Sequence, residues 1–237
     1  EGGEQLFQSA SLAGAENNEI EAAKKEWQEK GTESKYFKKW FGDSKVVDKN
    51  GKPLVVYHGT ENNFRIFKNT GKSRQIGANV GFFFTDSQNM AKQYANDAIV
   101  MDVYLSLKNP LIVEPNSVIE IFGEKIEITD AFDFFTQLDI RQSEQETKEE
   151  LLKLGYDGII LRDTNVDTPF MKDIHDVYVA FDNTQIKAVN NRGTFDAENP
   201  NIYYQRRINE SEGQMKLFQD VMQLNLFQQE QIFSSDN

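Results

Sequence analysis

Apolar residues fall into short runs separated by turn formers, and their spacing predicts more strands than helices. Near the start, Ile20, Ala23 and Trp27, then Tyr36, Phe37, Trp40 and Phe41, recur at helical spacing over 19–41. Gly31-Thr32 interrupts this pattern and Gly42 suits its stop. Residues 44–48 and 53–58 flank Lys49-Asn50-Gly51-Lys52, and Asn-Gly between two such runs predicts a hairpin. Further strands are expected over 80–85, 99–107, 111–113 and 118–128, the last folded on itself at Phe122-Gly123-Glu124-Lys125. Asp86 or Ser87 can cap a helix over 88–98, and two more helices are expected around 130–138 and 144–154. Strands at 159–161 and 177–181 follow, Asp182-Asn183-Thr184 turns the chain into Gln185-Ile186-Lys187, and turn formers over 190–205 predict coil wrapped on the body.

The two ends differ from this middle. Residues 1–18 are small and polar, an arm around Leu6-Phe7-Gln8. Beyond Ile208, Leu217, Val221 and Leu224 with Phe218 and Met222 keep helical spacing on a glutamine-rich background. That tail reads as an amphipathic helix that docks on its own body or on a partner, or as a partly disordered arm. The expected division is an arm and helix over 1–35, a body over 36–205 and the tail over 206–237.

Composition narrows the chemistry. Net charge is −12 over 237 residues, against the positive surface that nucleic-acid binding requires. Lys68, Lys72 and Arg74 still make a local basic group suited to a small anion. The chain has no cysteine, so it has no disulfide, thiol nucleophile or cysteine zinc site. Its histidines are His58 and His175 alone, which excludes a histidine-rich metal centre. No apolar run approaches the ~20 residues that span a bilayer, and the acidic start is unlike a signal peptide. The default expectation is a cytoplasmic protein, and a fragment of a longer chain would show the same features.

Chemistry concentrates in two segments. Val55-Val56-Tyr57-His58-Gly59-Thr60 reads as a buried strand that ends in an imidazole, an unshielded peptide and a hydroxyl. Alone it reads first as a core strand with an incidental histidine. About twenty residues on comes Gly81-Phe82-Phe83-Phe84-Thr85-Asp86, then the helix that carries Tyr94. Neither a G-x-G-x-x-G run nor a P-loop is present, and the strand order lacks regular βαβ alternation.

This ordered set resembles the ADP-ribosyltransferases of the His-Tyr-Glu class, the group of diphtheria toxin and the poly-ADP-ribose polymerases. It is most similar to the ADP-ribosyltransferase-like domains of phage and mobile-element polyvalent proteins. Trp40-Phe41-Gly42-Asp43-Ser44-Lys45-Val46-Val47, Lys108-Asn109-Pro110-Leu111, Gly155-Tyr156-Asp157-Gly158-Ile159 and Asn191-Arg192-Gly193-Thr194-Phe195-Asp196 carry that likeness over about 36–205. The resemblance implies an α+β fold with two small, mostly antiparallel sheets around an NAD cleft and helical extensions at both ends.

It further implies that His58 holds a ribose, that the Gly59 backbone clamps the carboxamide, and that Thr60 stands at a small hydroxyl position. Tyr94 and Phe83 would sandwich the nicotinamide beside Phe84, with Arg74 or Lys72 on the pyrophosphate. The family's glutamate falls five residues before the strand-ending acid, and counting back from Asp182 gives Val177. Asp176 is one residue earlier, where a β-bulge would rotate it into the cleft. Three readings follow: Asp176 replaces the glutamate, another acid serves, or the domain binds NAD without efficient chemistry. Gln185 is expected to tie a turn, and Asp157 with Arg162 to form a structural pair or a turn.

The resulting expectation is a toxin-like mono-ADP-ribosyltransferase with His58, Tyr94 and Asp176 as its catalytic set. It would use NAD, no metal and a macromolecular acceptor, foremost a protein, in a host cytoplasm. The alternative is a scaffold module of a mobile-element protein that binds NAD with weak or no catalysis.

Overall fold

A computed structural model describes residues 18–69, 77, 79–141, 143–168 and 171–203. The chain separates into two units, Glu1–Tyr204 and Gln205–Asn237. The second unit, and with it the amphipathic tail, lies outside the described residues, as do Lys72 and Arg74.

Helix α1 covers 18–30 and α2 covers Lys35–Phe41, with a 3₁₀ turn at Gly31–Glu33 between them. Ser34 caps α2 by accepting from Tyr36 N, and Gly42 ends it at φ 54°. The Asn-Gly turn forms as expected, with the Asp48 carboxylate accepting from Asn50 N and Lys52 N. Its first arm is only a bridge, Val47 to Pro53, because beyond it Val46 N donates to Ser44 Oγ and Lys45 N to Leu107 O instead of to the facing arm.

The strands are β1 (Val56–Thr60), β2 (Phe82–Thr85), β3 (Ile99–Leu105), β4 (Leu111–Val113), β5 (Ser117–Ile121), β6 (Glu124–Ile128), β7 (Gly158–Thr168), β8 (Met171–Ala180) and β9 (Ile186–Ala188). Seven of them form one sheet in the order β4-β7-β8-β2-β1-β3-β9, and β5 pairs with β6 as a separate hairpin. The pairing of β4 with β7 is parallel and the rest are antiparallel. Helices α3 (Gln88–Tyr94), α4 (Ala131–Arg141) and α5 (Glu144–Lys153) complete the fold.

This arrangement corrects the expected pair of facing sheets. A single register pair, Tyr57 with Thr85, joins β1 to β2 and makes one sheet of what would otherwise be two. On either side of that joint the ladders are longer: five register pairs link β1 to β3 and four link β2 to β8. The joint is therefore the thinnest seam in the sheet.

Side-chain alternation assigns the two faces. Val56, Phe84, Met101, Val103, Tyr178 and Ala180 lie on one face, covered by Val46, Phe67 and Ile202. Val177, Val179 and Phe83 lie on the other, with Val80, Phe134 and the β5–β6 hairpin. A third cluster of Phe37, Trp40, Phe41, Tyr104 and Phe195, joined by Trp27, seats α1 and α2 on the body.

Several elements depart from the spacing-based expectation for local reasons. Helix α3 stops at Tyr94 rather than near 98 because Asn96 and Asp97 turn to φ 49° and 59°. There Asp97 N donates to Lys92 O and Asn96 N to Gln93 O, the paired bonds of a Schellman stop. Strands β7 and β8 continue well beyond the expected runs, pairing from Gly158–Ala180 out to Thr168–Met171 across a bulge.

Candidate functional site

The site is built from the opening of the β1–β2 seam. In β3 the carbonyl of Asp102 accepts from Val189 N, and Ser106 N donates to Gln185 O, so even-numbered residues turn their peptides toward β9. Met101 and Val103 therefore turn toward β1, where they face His58 and Val56. By alternation the peptide groups of Tyr57 and Gly59 point at β2. Tyr57 meets Thr85 there, but among the described residues no register pair continues to Gly59. A wedge opens between the strands, with the Gly59 peptide on one lip and Phe83 on the other.

His58 spans this wedge. Its Nδ1 lies 2.8 Å from the Phe83 carbonyl oxygen, the group a continued ladder would have matched to Gly59. A carbonyl only accepts, so Nδ1 carries the proton and donates. The ring is packed by Phe67 at 4.9 Å, Phe84 at 5.5 Å and Phe64 at 6.1 Å between centroids. Burial among these rings lowers the His58 pKa, although the bond to Phe83 works the other way. The imidazole is thus neutral at physiological pH with its tautomer fixed. Nε2 is left as a hydrogen-bond acceptor, suited to a hydroxyl.

Gly59 has a second demand on it. A Cβ there would stand 1.9 Å from the Ala91 carbonyl and 3.1 Å from Ala95 N, so α3 lies directly on the strand backbone. Tyr94 ends this helix and is 64% exposed. His58 and Tyr94 therefore lie on opposite faces of β1, and what they share is the wedge edge at Gly59. Thr60 closes the strand by accepting from Asn62 N, which commits its hydroxyl to the following turn. Lys68 is exposed in the loop beyond.

The aromatic residues of β2 divide between the faces. Phe83 is half-buried and rests on Phe135 of α4 at 5.5 Å, on the face that α3 covers. Phe84 points the other way and is only 2% exposed, a core residue that backs the His58 ring. Helix α4 also fixes the approach to β2, since a Cβ on Gly77 would lie 2.5 Å from the Phe135 ring. No feature of the sequence singled out Phe135.

Asp176 lies on the His58 face, and Val177 on the face of Phe83. The expected bulge exists, but in the partner strand: the β7–β8 register shifts between Leu161 and Thr164, so Arg162 and Asp163 oppose Asp176. Both turn onto its carboxylate. Arg162 forms an ion pair with Oδ2, and Asp163 N, in a residue at φ 47°, donates to Oδ1 at 3.0 Å. The Tyr178 hydroxyl adds a contact at 3.4 Å, and burial, with the Asp176 and Asp86 charges, raises its pKa and keeps it a donor. The Asp86 carboxylate accepts from Asp176 N at 2.9 Å, which stitches the chain leaving β2 to the middle of β8.

Of the pair or turn expected for Asp157 and Arg162, the pair does not form, since Arg162 binds Asp176. Asp157 instead accepts from Lys108 N at 2.6 Å and Asn109 N at 3.0 Å. Gln185 ties the turn as expected, accepting from Phe181 N and Asp182 N and donating to Asp157 O. Among the described residues no cluster of histidine and acids has metal-binding form, and no helix is long and apolar enough to cross a membrane.

A parted sheet with His-Gly on one lip, Gly-Phe-Phe-Phe on the other and an aromatic-ended helix behind them is consistent with an ADP-ribosyltransferase. The family model described as ADP-ribosyltransferase in polyvalent proteins matches residues 48–195, more than half of the chain. The chain belongs to that family. No curated protein and no solved structure matches it.

Proposed function

We propose that this chain is an NAD-dependent mono-ADP-ribosyltransferase that binds the dinucleotide in the wedge between β1 and β2. The supporting observation is the interrupted ladder itself. A half-buried, neutral His58 with Nδ1 fixed on Phe83 O presents Nε2 to a ribose hydroxyl, and the Gly59 peptide faces the same gap. Tyr94 supplies an exposed ring at the end of the helix that rests on Gly59. Phe83 offers a half-buried ring on that face but no hydroxyl.

In the reaction the bond between nicotinamide nitrogen and the ribose anomeric carbon breaks, and its electron pair leaves with nicotinamide. Positive charge develops on the sugar, and a nucleophile of the acceptor forms the new bond and gives up a proton. The protein's part is chiefly positioning and charge stabilisation. An acceptor protein and a phage or mobile-element setting fit the polyvalent-protein family.

A second reading, NAD binding without efficient transfer, is favoured by one observation. The strand position expected to hold the acid is Val177, and Asp176 is already engaged by Arg162 and Asp163 N. Incubation with labelled NAD and host lysate separates the two. Under the transfer reading nicotinamide is released, His58→Ala and Tyr94→Ala abolish release, and Asp176→Asn lowers turnover while NAD affinity holds. Binding by calorimetry with no release from the wild type would establish the second reading.

A further inference from the structure

Tyr94 is an exposed ring with no aromatic neighbour among the described residues, so its direction depends on what holds the residues around it. Before it, Ala91 lies against Gly59, and directly after it Ala95 is fully buried. One residue further, the Schellman stop places Asn96 in the left-handed region, and from there its Nδ2 donates to the Glu61 carboxylate at 2.9 Å. Glu61 sits in the turn that the Thr60 hydroxyl closes on Asn62. The end of α3 is thereby fastened to the chain that leaves β1, one turn of backbone beyond the wedge.

We propose that the Glu61–Asn96 bond is a latch that positions Tyr94 at the wedge, making both residues positioning residues for the dinucleotide. The proposal rests on the NAD reading given above for its functional consequence, although the latch itself is a geometric statement. Asparagine at this place does two jobs. It accepts the left-handed conformation that ends the helix, as glycine also would, and it carries the amide that reaches Glu61. Asn96→Gly therefore preserves the helix stop and removes only the latch. Glu61→Gln keeps an oxygen acceptor for the Asn96 amide, whereas Glu61→Ala removes it.

The test uses the full chain labelled with 3-fluorotyrosine, the Tyr94 ¹⁹F signal being assigned by its loss in Tyr94→Phe. Without NAD, Asn96→Gly and Glu61→Ala are expected to move or broaden that signal, with Glu61→Gln close to wild type. With NAD, the first two raise the KM for NAD roughly three- to tenfold, the scale of one net hydrogen bond, and leave kcat nearly unchanged. Melting temperatures should agree within a few degrees across the set. An unmoved Tyr94 signal with unchanged KM in Asn96→Gly would overturn the latch while leaving the NAD reading intact. A collapse of melting temperature in Asn96→Gly would overturn it in favour of a merely structural bond. A moved signal in Asn96→Gly, found together with a wild type that neither binds nor cleaves NAD, would sustain the latch and remove the NAD reading.

Discussion

At the scale of single residues, two bases, the half-buried His58 and the fully buried Lys187, make the same demand on the fold. His58 is kept neutral by the rings around it, and its function in the proposed site requires Nε2 unprotonated. Its folded pKa lies below the ordinary 6.5, so between the two values the unfolded chain binds more protons and acid destabilises the fold. NAD binding is accordingly expected to hold steady through neutral pH and to fail only on an acid limb below 6.5. A binding midpoint at or above that value, from calorimetry across pH, would contradict the assigned tautomer. Lys187 is the second case. It is fully buried on β9, with Nζ donating to the Asn199 carbonyl, and burial lowers its pKa to about 8. Between about 8 and the ordinary 10.5 the unfolded chain again holds more protons, so stability rises with pH through that window. Relative to Lys187→Met, the wild type should gain on the order of 3 kcal/mol from one end of the window to the other. Urea titrations of both proteins at matched pH measure it, and a flat difference would show the ammonium to be solvated.

At the scale of elements, what could be read from the sequence was whatever is encoded within one element. The β5–β6 turn is an example: Phe122 and Gly123 take φ 57° and 73°, the two-residue hairpin that a glycine after an apolar run announces. The capping box at Ser143 and Glu146 starts α5 where the spacing put it. Properties that belong to a pair of strands were not visible. Nothing in Arg162-Asp163 signals a bulge, since it arises from the two β7 residues that oppose Asp176. Nothing in Phe83-Phe84 indicates which ring is core until a partner strand sets the faces. Gly59 lies between these cases: its glycine was legible, but the helix backbone that requires it was not. Gly59→Ala would place a methyl inside the Ala91 carbonyl, in backbone rather than in a yielding side chain. The expected cost is about 1–3 kcal/mol, accompanied by displacement of α3 and a higher KM for NAD. Urea unfolding and nicotinamide release would both register it. Unchanged stability would mean that α3 lies farther from β1 than this contact requires.

At the scale of the whole molecule, the family match and the folded body have different limits. The match begins at 48 and ends at 195, yet the core continues on both sides. Ser44 Oγ donates to Leu105 O and accepts from Leu107 N, and Val46 is fully buried under β1 and β3. Beyond the match, Ile202 N donates to Arg65 O and its carbonyl accepts from Ala188 N, closing the sheet edge at β9. The largest dependence is aromatic. Phe37 packs within 5.6 Å of Trp27 and within 5.1 Å of Phe41, Tyr104 and Phe195, joining both N-terminal helices to β3 and to the last coil. Phe37 is buried to 1% exposure, so Phe37→Ala leaves a cavity that rigid neighbours cannot fill. Its expected cost is about 3–5 kcal/mol, a large part of the ~5–15 kcal/mol that holds a domain folded. A chain cut to 48–195 loses Trp27, Phe37, Trp40 and Phe41 together and leaves Tyr104 and Phe195 bare. That fragment should therefore lack a cooperative thermal transition, whereas a chain covering 18–203 should keep one. A cooperative melt of the shorter fragment near the temperature of the longer would show that the two N-terminal helices decorate the transferase body rather than complete it.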